Sequence, residues 1–202
     1  MRKNRKWLGK KIKKVKYPNP EPMAGGSRRG LTFHNEGVDR KCGGSGTHWW
    51  LAKYVNNKRI PYHFIWCPHC GDIIQLIACD KAARSMKGGD VDGRGNSANK
   101  AGAVNIQVCV ASYGKRPFTG SPMKNAAVFG RLADSWGIKH RLRSKWGPGV
   151  SRKKAIWAKG GIQGHCHGPH DDHVDPMAIN PKKLSRALWP KDVRSAKKKR
   201  KK

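Results

Sequence analysis

The sequence predicts a single α/β domain with a mixed central β-sheet and helices packed on it. Two observations carry this prediction. Residues 61–66, 73–77 and 104–110 are rich in aromatic and β-branched side chains and have strand length. Apolar residues then recur at helical spacing at Met123, Ala126, Phe129, Leu132, Ala133 and Trp136. Strands interleaved with helices define the α/β class. The 202 residues suffice for one full core, and no internal repeat or second domain is visible.

Taken in order, residues 1–29 read as a basic, flexible arm. A Lys-rich stretch runs into Tyr17-Pro18-Asn19-Pro20-Glu21-Pro22, which favours extended backbone. The domain proper is expected over 30–189. Leu31-Thr32-Phe33-His34 is a short strand ending on a histidine. Thr47 is placed to cap a helix over 48–56, with Trp49, Trp50 and Tyr54 on its buried side. Residues 61–66 and 73–77 form a hairpin around Cys67-Pro68-His69-Cys70-Gly71-Asp72. That turn has the Pro and Gly of a zinc knuckle, but a structural zinc needs four ligands. Cys42, Cys79 or His69 would have to complete it; otherwise it is a plain turn with two thiols. The Gly-rich loop 87–97 lacks a phosphate-binding pattern. Residues 104–110 should be the central strand. Ser121-Pro122 should open the striped helix and Gly137 close it. A basic loop follows through Arg141, Arg143, Lys145, Trp146 and Arg152. Asn180-Pro181 caps a last helix ending near Leu188, and 190–202 is a polybasic tail.

Charge narrows the partners. Lys and Arg total 44 against 12 Asp and Glu, a formal net charge of +32. Residues 1–16 hold nine basic residues and 191–202 hold eight, with one Asp between them, which leaves about +16 in the middle. Such a field attracts polyanions, whether nucleic acid, anionic lipid or bacterial wall polymers. No run approaches the roughly 20 apolar residues of a membrane span, and the N-terminus lacks the apolar core of a signal peptide. Synthesis and first residence in a cytoplasm are therefore expected, with the six cysteines as free thiols by default.

Residues 161–176 pack His165, Cys166, His167, His170, His173 and Asp175 into a stretch without Lys or Arg. Imidazole and carboxylate are zinc ligands, and a catalytic zinc uses three of them and keeps one position open. We read His165 and Asp175 as two ligands and the strand-end His34 as the third. The bland alternative is a polar surface loop with incidental histidines.

These residues resemble a known family, the zinc-dependent N-acetylmuramoyl-L-alanine amidases of the type 2, peptidoglycan-recognition-like fold, especially endolysins of actinobacteriophages. The resemblance is carried by Thr32-Phe33-His34-Asn35-Glu36-Gly37, by Tyr62-His63-Phe64 leading through a hairpin to Ile74-Gln75-Leu76, and by Gly164-His165 with Asp175-Pro176 ten residues after the histidine. Ala103-Val104-Asn105-Ile106-Gln107-Val108 looks like the family's central strand. The resemblance spans roughly 30–188 and leaves out both basic ends.

The resemblance implies Zn²⁺ held by His34, His165 and Asp175. It also implies transition-state stabilisation by His173 and a tyrosine near the metal, Tyr62. Many members carry a glutamate on the central strand where Cys109 stands here, so Glu36 is the candidate stand-in for the general base. His167 is the alternative ligand if the loop register slips. The implied activity is hydrolysis of the amide joining N-acetylmuramic acid to L-alanine in peptidoglycan, lysing the bacterial cell wall. The implied setting is the host cytoplasm until release, then the wall, with the basic ends on anionic wall polymers and the protein acting as a monomer. Two rivals are a peptidoglycan-binding module that has lost catalysis and a basic nucleic-acid-binding protein. The latter leaves the His/Asp spacing unexplained.

Overall fold

A computed structural model describes residues 4–9, 12–37, 46–112 and 117–190. In chain order it contains strand β1 (Lys13–Lys14), strand β2 (Arg29–Gly37), helix α1 (Gly46–Asn57), and strands β3 (Phe64–Trp66), β4 (Ile73–Gln75) and β5 (Val104–Ser112). Helices α2 (Ala127–Ser135) and α3 (Lys154–Ala158), strand β6 (Gly161–Gly164) and helix α4 (Pro181–Leu188) follow. The strands form one mixed sheet in the order β1-β4-β3-β5-β2-β6. Only β3 and β4 are antiparallel; the other neighbours run parallel. The expected α/β architecture is present, and β5 lies inside the sheet between β3 and β2.

Period-two alternation gives the sheet two unlike faces. Leu31 and Phe33 of β2, Val104, Ile106, Val108 and Val110 of β5, and Phe64 and Trp66 of β3 belong to one large core with Phe129 and Leu132 of α2 and Leu184 and Leu188 of α4. The alternate residues face the other way. At β3 and β4 that second face is apolar and packs on Leu51, Ala52 and Val55 of α1. At β2 and β5 it is buried but polar: Thr32, His34, Asn105 and Gln107. Buried polar groups are costly unless paired, and most of these are. Thr32 Oγ1 donates to Asn105 Oδ1 at 2.9 Å, and Gln107 Nε2 donates to Asn99 Oδ1 at 3.0 Å.

Several local expectations change. In α1 the buried side is His48, Leu51, Ala52 and Val55, at i, i+3, i+4 and i+7. Trp49, Trp50 and Tyr54 point outward and are 36%, 58% and 39% exposed. The small Ala52 lets the helix lie close to the sheet, where an indole would hold it off. The helix begins at Gly46, so Thr47 lies within it. Helix α2 starts six residues after the predicted Ser121 because Met123 and Asn125 adopt left-handed backbone, with φ of 48° and 64°. There the Lys124 amide donates to Pro68 O and Asn125 Nδ2 to Gly71 O, tying this segment to the β3–β4 turn. The stripe itself is core, and Gly137, with φ of 63°, closes the helix. Asn180 caps α4, accepting from the Lys183 amide at 3.0 Å.

The N-terminal segment is not loosely structured where it is described. Leu8 and Tyr17 are buried, β1 pairs with β4, and the Val15 and Tyr17 amides donate to Gln75 O and Leu76 O. β4 would otherwise leave an unpaired sheet edge, and β1 covers it. Arg28 is buried with its guanidinium 3.9 Å from the Trp157 ring. The 191–202 part of the polybasic tail, Cys42 and the rest of 38–45 lie outside the described residues.

Candidate metal centre

Parallel pairing of β2 and β6 brings the first two predicted ligands together. Phe33 stands opposite Gly164, so His34, still within β2, and His165, just past the end of β6, stand at the same level on neighbouring strands. Their ring centroids are 4.4 Å apart. The chain past His165 then returns. The Cys166 amide donates to Asp175 O at 2.8 Å, and the Asn35 amide donates to Asp175 Oδ2 at 2.9 Å. Asp175 Oδ1 lies 3.2 Å from His165 Nδ1. One ligand atom from each of His34, His165 and Asp175 lies within 4.8 Å of the other two. Ligands about 2 Å from a tetrahedral zinc sit roughly 3.3 Å apart, so modest closure would suit an ion.

The electrostatics fit a cation there. His34 is 1% exposed, and neither of its ring nitrogens has a hydrogen-bond partner. Such an orphan is expensive unless something else satisfies it. Burial holds its pKa well below the ordinary value, which keeps it in the neutral, metal-binding form. Burial opposes the imidazolium of His165, yet hydrogen bonds and charge from Asp171 and Asp175 raise its pKa to about 9. Burial likewise opposes ionisation of Asp175, but His165 outweighs it and holds the carboxyl below the usual range. Two carboxylates therefore favour positive charge at this point, which a proton on His165 or a divalent cation would supply.

Asp171 is the residue that sequence spacing did not single out. Its side chain is 1% exposed. It accepts from His165 Nε2 at 2.7 Å, from His173 Nδ1 at 2.6 Å and from the Lys87 amide at 2.9 Å. Holding Nε2–H of His165 turns the Nδ1 lone pair toward Asp175, the arrangement by which a carboxylate orients a metal-binding histidine. His165, Asp171 and His173 also cluster at ligand distance. Their contacts are already hydrogen bonds, however, whereas the His34 nitrogens have none. The trio of His34, His165 and Asp175 is therefore the better cation site. The available sign in the sequence was only an Asp inside the His-rich run.

The other predicted residues surround this centre. His173 stacks on His165 with centroids 4.3 Å apart, its side chain 56% exposed. The Tyr62 ring lies 4.9 Å from that of His34, and its hydroxyl donates to Glu36 Oε1 at 2.6 Å. Burial, then nearby Cys109 and Glu36, push the Tyr62 pKa well above the ordinary value. Cys109 pairs with His34 across β2–β5 and is fully buried, its thiol held neutral by burial. His167 stands apart from the trio. Its Nδ1 accepts from the Gly164 amide at 3.0 Å and its Nε2 lies 2.9 Å from Lys145 O.

Solved structures share this arrangement of strands and helices. A selenomethionine derivative of AmpD is 20% identical, with a TM-score of 0.58 over 93% of this chain and 99% of that one. The Staphylococcus aureus hydrolase AmiA, in complex with its ligand, is 13% identical, with a TM-score of 0.55 over 93% of this chain and 87% of that one. The N-acetylmuramoyl-L-alanine amidase LysC from Clostridium intestinale is 12% identical, with a TM-score of 0.53 over 90% and 99%. At these identities the likeness is one of fold, and the chain has the α/β fold of these proteins. No protein-family model matches the chain, and no curated protein matches it in sequence.

Proposed function

We propose that the protein is a peptidoglycan hydrolase of the phage endolysin type, cleaving the amide between N-acetylmuramic acid and L-alanine with a zinc ion held by His34, His165 and Asp175. The observation that carries this is the orphaned, buried His34 facing His165 and Asp175. The fold shared with LysC supports it. Zinc at such a site supplies Lewis acidity, polarising a carbonyl and making water acidic enough to attack near neutral pH.

The chain's own residues do the rest. Asp171 fixes the tautomer of His165 and also orients His173 through Nδ1. With Nδ1–H held by Asp171, His173 in its doubly protonated form donates Nε2–H to the developing oxyanion, a contact whose loss typically costs about 3 kcal/mol. Tyr62 stays protonated and keeps its hydroxyl on Glu36. Glu36 is then the carboxylate that orients the attacking water and passes its proton to the leaving amine. Cys109, neutral and sealed in the sheet, takes no part in proton transfer. The basic ends hold the protein on anionic wall polymers.

The test uses purified cell walls and reads new amino termini of alanine. Zinc-loaded protein should release them, and chelator should abolish release. His165→Ala should lower turnover at least ~100-fold, the scale of losing a transition-state contact worth about 3 kcal/mol. Release that persists in chelator, or in His165→Ala, would refute the assignment.

A further inference from the structure

We propose a second metal site, built from residues the first does not use and unlike it in chemistry. Cys67, Cys70 and His48 bind a zinc ion that pins the β3–β4 turn to helix α1. One ligand atom from each of the three lies within 4.8 Å of the others. They come from two elements: His48 from the first turn of α1, the cysteines from the turn after β3.

His48 is 5% exposed, and its Nδ1 is buried without a hydrogen-bond partner. Asp72 Oδ2 lies 3.6 Å from that nitrogen, too far for a hydrogen bond. An imidazole nitrogen sealed in this way beside two thiols lacks only a cation. Both thiols are free rather than joined to each other. The turn is already folded back in the manner such a ligand pair needs. The Cys67 amide donates to Asp72 O at 2.9 Å, the Gly71 amide donates to Cys67 O at 2.9 Å, and Gly71 holds φ of 87°. A Cβ at residue 71 would come within 2.7 Å of the Asn125 side chain as well as being strained, so glycine is required there.

Two thiolates and one imidazole form a soft nitrogen–sulfur set that selects zinc over harder cations. Asp72, half-exposed beside His48, is the candidate fourth donor among the described residues. Cys79 is not part of the group; its sulfur lies 3.9 Å from Gln75 Nε2. The role is structural. Residues 124–125 clamp one side of the turn through Pro68 O and Gly71 O, and the metal clamps the other side to α1.

The experiment is cobalt substitution of the full chain, read as thiolate-to-cobalt charge-transfer absorption in the near ultraviolet. Thiolates are absent from the His34–His165–Asp175 trio, so the band reports this site alone. The band should appear in the wild type and survive His34→Ala. It should vanish in Cys67→Ser and in Cys70→Ser, and His48→Ala should weaken cobalt binding at least tenfold. Should a cysteine variant fail to fold, mercurial titration of wild-type zinc protein serves instead, and about one equivalent of zinc should leave as these thiols are modified while zinc on the thiol-free trio stays. A wild type with no thiolate band, a band unchanged in Cys67→Ser, or a zinc content unchanged by thiol modification would each overturn the proposal.

Discussion

Asp171 shows how one buried side chain can orient two histidines of a site at once. It is nearly inaccessible, yet it accepts from His165, His173 and the Lys87 amide. Burial disfavours its charge, and the hydrogen bond and charge of His165 outweigh that, so the carboxyl stays well below its usual range. Asp171→Asn keeps the size but can no longer demand Nε2–H from His165. Zinc affinity should fall ~10–100-fold, the usual cost of losing a partner behind a ligand. Chelator competition measures this, and circular dichroism should show the fold intact. Unchanged affinity would mean that Asp171 only packs.

Elements are placed by what each can bring close to its neighbour. Helix α2 lies against the end of α4 because Gly130 has no side chain; a Cβ there would come within 2.0 Å of Leu188 O. Gly130→Ala should destabilise the fold by about 1–3 kcal/mol or more, as overpacking does. Trp50, 58% exposed on α1, is the contrast: Trp50→Ala should change stability by no more than ~0.5 kcal/mol. Thermal melts of the two variants decide it, and equal midpoints would contradict the packing. The same reasoning explains why the aromatic residues of α1 misled. Their size suggests a core, but the helix buries whichever face lets it approach β3 and β4, and that face carries Leu51, Ala52 and Val55.

At the scale of the molecule, +32 is a long-range property that the fold tolerates rather than uses. If the basic ends anchor the protein on wall polymers, binding to purified walls should weaken steeply as salt shortens the Debye length toward ~3 Å at 1 M. Deleting 191–202 should remove much of that salt dependence. Removing the N-terminal segment is a poorer test, because Leu8, β1 and Tyr17 belong to the folded body and their loss would expose the edge of β4. Salt-independent wall binding, or a deletion without effect, would leave the charge without this role.

The linear order of residues by itself determined the class of fold, the interior place of β5, the stripe of α2, the cap of α4 and the three candidate ligands. Those features rest on local periodicity, on capping chemistry and, for the candidate ligands, on residue types able to hold a cation. Contacts between distant segments were decided only in three dimensions. The pairing of β6 with β2 sets His165, rather than His167, beside His34, because register is a property of two strands and not of one. Asp171 and His48 became visible only once burial was known. An unpaired nitrogen or an overworked carboxylate means something only where water cannot reach it.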